Sequence, residues 1–233
     1  VDIDANVTST GAGGFASNRT SQTAGTFDSD GFTIDANNGN VAIVAPTQTV
    51  TLGQILDGAA VNVGGAGITT NGTIGAGSVD LQSTAAVTVN AAITTVGAGF
   101  VSAGTTFDSI GAGDINTTSG SGIIDINHTG AANIAGDLLG GGVVTVDAGT
   151  TTVDGATSSA TSSVAFNVNG VGTFNGTVGS ATNTTIIAND ALAVNGDVDA
   201  GNGAGNTVRL VASADGGNDN LIGGGGNDEL YGG

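Results

Sequence analysis

Asp219 and Asp228, nine residues apart, sit in near-identical surroundings at the end of the chain. The block Gly217-Asn218-Asp219-Asn220-Leu221-Ile222 returns as Gly226-Asn227-Asp228-Glu229-Leu230-Tyr231, with Gly223-Gly224-Gly225 between the two. Glycine reaches backbone conformations with positive φ that other residues adopt only at a cost, so this stretch can turn sharply and aim its carbonyls inward. Asn218 and Asn227 suit the same turns, since asparagine tolerates left-handed geometry. The turns offer only oxygen donors, carboxylate and carbonyl. That is the donor set of a hard cation such as calcium, which takes roughly 6–8 oxygens at about 2.3–2.6 Å.

Over Gly216 to Gly233 the pattern resembles the RTX nonapeptide G-G-x-G-x-D-x-U-x, although Ala214-Asp215 stands where the family has Gly-Gly. The resemblance implies a calcium-binding parallel β-roll. Asp219 and Asp228 would be its carboxylate ligands, and Asp215, Gly217, Asn218, Gly223, Gly225, Gly226 and Asn227 would contribute, some through backbone carbonyls. Leu221 and Leu230 would fill the narrow core. It further implies export from a bacterium by type I secretion and folding outside the cell. In the family two nonapeptides make one coil, and each calcium lies between matching turns of successive coils. The two repeats here therefore supply half of each site. Further repeats, the segment from Asp199 to Asn206, or a neighbouring molecule would supply the rest.

Other chemistry is sparse. Apart from the acids, the groups able to act as base or charge partner are His128, Tyr231, Arg19 and Arg209. His128 follows a strand-like Ile-Asn and reads as a turn residue. Arg209 alternates with Val208 and Leu210 and should point outward, toward an aspartate. Asp80 and Asp125 occupy corresponding outward positions, as do Asp114, Asp137 and Asp197; they read as a solvated face, with calcium held between coils as the sharper alternative. Polysaccharide lyases and epimerases also use parallel β-helices, so an enzyme is the competing function class. Such enzymes need bases or paired acids gathered on one strand face.

Composition narrows the rest. The chain of 233 residues carries 20 acidic residues against 2 basic ones, a formal charge of −18. Nucleic acid and anionic membranes need basic patches and are poor partners; divalent cations are natural ones. Cysteine is absent, which removes disulfides and thiolate metal sites. No apolar run is long enough for a membrane helix. Hydrophobic residues are mostly Ala, Val and Ile, with aromatics at 3%, so the core should be thin.

The elements that must carry these groups repeat. A phrase of Asn, Ala or Asp, then Gly, then any residue, then an apolar one recurs at Asn71, Asn90 (with Ala91 for glycine), Ala112, Ala135, Asp154, Asn175 and Asn195, in steps of 19, 22, 23, 19, 21 and 20. In phase with it run apolar-polar alternations: Val79-Asp80-Leu81, Ile124-Asp125-Ile126, Val144-Thr145-Val146, Phe166-Asn167-Val168 and Val208-Arg209-Leu210. Period-two alternation reads as a half-buried strand, and no stretch keeps a helical period. The pattern predicts an all-β fold, a right-handed parallel β-helix of about 21 residues per coil running into a short RTX β-roll. About eleven coils, spaced about 4.8 Å apart, give a rod on the order of 50 Å. An antiparallel sandwich is the rival. Asn71, Asn90, Asn175 and Asn195 are expected to form amide ladders at the corners. The phrases are loosely similar to the filamentous-haemagglutinin-like repeats of large secreted adhesins. Residues 1–60 read as irregular coils, a cap or a contact module, 61–213 as the β-helix, and 214–233 as the calcium roll. The functional expectation is an extracellular structural protein of a bacterial fibre, matrix, surface layer or adhesin stalk. It would self-associate end to end or laterally, with surface polysaccharide as a further partner.

Overall fold

The computed structural model describes residues 1, 3–9, 13–18, 25–201, 203, 205–213 and 227–231, and of 227 and 228 the backbone only. Every regular element among them is a strand, and the strands pair in parallel with their equivalents one coil away. The result is a β-solenoid of about nine turns. Each coil has three faces, here A, B and C in chain order. In the later coils each face is a separate short strand: Val144–Ala148 on A, Thr150–Val153 on B and Thr157–Ser159 on C. In the early coils the chain rounds corners without losing strand geometry. Val41–Leu52 supplies faces A and B, and Gln54–Thr70 supplies C, A and B.

The alternation explains why the coils close. On face A, Val41, Val61, Val79, Phe100, Ile124, Val144, Val164, Thr184 and Val208 stack in one inward column. On face C the column is Ile34, Ile55, Ile74, Ile93, Ile115 and Leu138. These side chains are buried. Branched β-carbons favour extended backbone, and each fully buried Val or Ile contributes about 1.5–3 kcal/mol. Like therefore stacks on like, and the sequence repeat is the structural repeat. One expected alternation is out of phase. Val146 pairs with Phe166, so the equivalent of Val144-Thr145-Val146 is Val164-Ala165-Phe166 rather than Phe166-Asn167-Val168.

On face A the coil length varies from 18 residues between Val61 and Val79 to 26 between Phe15 and Val41. Extra residues enter at corners, where they disturb no rung. The expected eleven coils become about nine, and the first of them are longer than expected. Residues 15 and 41 are successive rungs on face A. Pro46 lies where the ladder slips between Ala45 and Thr49, a place where a missing N–H breaks no rung.

The core is not made of small residues alone. Phe27, Phe100, Phe107, Phe166 and Phe174 are fully buried. Phe166 and Phe174 meet edge to face at 4.8 Å between centroids, across faces A and B. Gly172 makes room for them: a Cβ there would lie 3.1 Å from the Phe174 ring. At one C/A corner a buried hydroxyl is paired with backbone on both sides. Thr117 Oγ1 donates to Gly122 O at 2.7 Å and accepts from the Gly141 amide at 2.9 Å.

Candidate functional site

The B/C corner is where the recurring glycine phrase falls. A Cβ on Gly136 would stand 2.5 Å from the carbonyl oxygen of Gly113 one coil earlier, and those on Gly155, Gly176 and Gly196 would press still closer on the glycine beneath. The phrase is therefore a column of close backbone approach. Gly113, above the coil that carries Ala91, packs on the carbonyl of Val89 instead, a local change of offset where the column is interrupted. Beside the glycines run the expected ladders. Asn90 Nδ2 donates to Asn71 Oδ1 at 2.8 Å, Asn195 Nδ2 to Asn175 Oδ1 at 2.8 Å, and Asn175 Nδ2 to Asp154 Oδ1 at 2.7 Å. A second set, near the A/B corner, was not foreseen: Asn189 donates to Asn169 at 3.1 Å and Asn167 to Asp147 at 2.6 Å.

The acidic positions separate into different roles. Asp114 and Asp137 lie in adjacent coils, and their carboxylates are used by backbone. Asp114 Oδ1 accepts the Asp137 amide at 2.9 Å, and Asp137 Oδ1 accepts the Ala156 amide at 2.8 Å. Asp197 occupies the equivalent place before face C, its carbonyl accepting the Val178 amide at 2.9 Å. Asp80 and Asp125 share an outward column, but Val101 stands between them, so they do not form a carboxylate pair. Asp125 has its pKa raised by burial and then by the charge of Asp147. Among the described residues no group of three or more His, Cys, Asp or Glu is placed to hold a metal ion.

His128 differs from its expected place. It ends the strand Ile123–His128 and its side chain is buried, 2% exposed. Nε2 lies 3.0 Å from Ser102 Oγ on the preceding coil, and the ring packs on Phe107 at 5.6 Å between centroids. Burial lowers its pKa to about 4, with the Thr106 backbone pulling weakly the other way. The partnership escaped the sequence because Ser102 and His128 are 26 residues apart, across one of the longest coils.

Most of the expected calcium ligands, namely Asp215, Gly217, Asn218, Asp219, Gly223, Gly225 and Gly226, lie outside the described residues. Asn227 and Asp228 open the strand Asn227–Tyr231, in register with Thr207 and Val208 of Thr207–Ala212. In that strand Glu229 faces Arg209 and Leu230 continues the line of Leu210. Arg209 points outward as expected, but its partner is a glutamate: Nε lies 3.8 Å from Glu229 Oε2, and the guanidinium sits 5.9 Å from the centre of the Tyr231 ring. Leu230, expected in a core, is 42% exposed, because none of the described residues packs over it. No family model, curated protein or solved structure matches the chain.

Proposed function

We propose that the protein is an extracellular structural element of a bacterial surface fibre, matrix filament or surface layer, whose folding and assembly depend on calcium. The observation that carries this reading is the rung between Thr207–Ala212 and Asn227–Tyr231. Through it the second glycine-aspartate repeat continues face A of the solenoid. A cation held by Asp219, Asp228 and the neighbouring carbonyls would then favour the folded end of a continuous rod. Binding energy at such a site is folding energy, because the unfolded chain does not hold the ligand set together. The charge of −18 adds a general attraction for divalent cations and a repulsion between copies that they relieve. Backbone pairing from coil to coil among the described residues suits a load-bearing or spacing role.

The test is electron microscopy and thermal denaturation of the purified protein with 5 mM calcium, with chelator, and with magnesium. Elongated or polymeric particles and a raised melting temperature in calcium alone support the reading. A melting curve and particle shape indifferent to calcium would overturn it, as would loss of nothing in a D219N/D228N double variant.

A further inference from the structure

His128 is the chain's only histidine, and it is built into the core. Its ring fills the A/B corner above Gly104, where a Cβ would come within 3.0 Å of Cε1, and lies against Phe107. Ser102 Oγ serves Nε2, while Nδ1 is buried with no hydrogen-bond partner. A neutral imidazole satisfies this arrangement with one bond. An imidazolium would carry two donors and a charge into a site where one hydroxyl lies in bonding range and the Thr106 backbone only partly offsets the burial.

We propose that this rung is an acid-operated break point. Protonating His128 opens the coil contacts around faces A and B at Phe100–Phe107 and Ile123–Ile134, while the coils on either side stay folded. A solenoid permits such a local opening, because each coil touches only its neighbours and no distant contact bridges the gap.

No charge near the ring outweighs the effect of burial. Ile93–Gly104 brings Ser102 and Gly104, Thr106–Ser109 brings Phe107 with Asp108 exposed on its outer side, and Leu138–Gly140 brings no ionisable group. On its own strand Asp125 lies in the outward column. From Val144–Ala148, Asp147 lines a surface hollow beside His128 and accepts from Asn167; its charge does not outweigh the burial of the ring.

The direction follows from linkage. The folded imidazole titrates near 4 against an ordinary 6.5, so it binds protons less readily than in the open state. The closed rung is at full strength above about pH 6.5 and weakens as the pH falls toward 4, below which both states are protonated. At pH 5 the closed state is favoured about 30-fold less than it is well above pH 6.5.

The single imidazole makes the test direct. Its NMR resonances are followed from pH 7 to pH 3 in the intact chain, alongside amide hydrogen exchange corrected for intrinsic rates. A midpoint near 4 is expected. Protection at residues 99–109 and 123–134 should fall about 30-fold at pH 5, residues 41–70 and 164–194 should remain protected, and H128Q should not lose protection at the break. A midpoint near 6.5, or an equal loss of protection in H128Q, overturns the proposal. The NMR arm stands without the variant, should H128Q fold poorly.

Discussion

Replacing Gly136 with alanine tests whether the glycine column is a packing requirement. The new Cβ would lie 2.5 Å from Gly113 O, whereas ordinary contact begins at 3.4 Å, so the corner must open by about 0.9 Å. Three bonds cross the gap at that corner. The Ala135 amide donates to Ser109 O at 3.0 Å, the Gly136 amide to Ser109 Oγ at 3.3 Å, and the Asp137 amide to Asp114 Oδ1 at 2.9 Å. An opening of that size carries all three past hydrogen-bonding distance. At about 1 kcal/mol net for each bond, G136A should cost roughly 2–3 kcal/mol. The control is G179A: Gly179 lies on face C, and a Cβ there meets nothing within 4 Å. That variant should stay within about 0.5 kcal/mol of the parent. Urea denaturation followed by circular dichroism measures both. Equal midpoints for G136A and G179A would refute the reasoning, because they would mean the corner yields without loss and the glycines answer only to the turn.

Two further outcomes are expected. N175A removes the bonds from Asn175 to Asp154 and from Asn195 to Asn175. It should cost roughly 1–2 kcal/mol, whereas N62A, at an exposed position outside the ladders, should be close to neutral; matching denaturation midpoints would deny the ladders a stabilising role. D125N removes a carboxylate whose pKa the fold raises above the ordinary 3.8. A raised carboxyl favours the fold fully below its unfolded value and loses that contribution as the pH rises through its folded value. D125N should accordingly be more stable than the parent at pH 7, with the difference vanishing near pH 3.5. A destabilised D125N at pH 7 would show instead that the charged carboxylate does useful bonding.

The fold was legible because parallel stacking is a translation. Each coil lies on the last, so Val61 meets Val79 and Asn71 meets Asn90, and the repeat in sequence is the repeat in space. That is why the strands, the parallel stacking and the corner amide ladders could be read from residue types and spacing. The glycine phrase was equally visible. Its cause, a carbonyl of the coil beneath at each step from Gly113 to Gly196, was not, because that is a contact between residues about twenty apart.

What only the tertiary structure decided depends on where the extra residues of each coil go. Insertions at corners shift the phase without leaving a mark on residue type. The chain alone could not tell that Val101 separates Asp80 from Asp125, that Phe166 rather than Val168 follows Val146 in its column, or that Ser102 lies under His128. Sequence by itself determined the period and the chemistry that repeats with it. The fold chose the register, and burial, set by register, turned the chain's one histidine from a corner residue into part of its core.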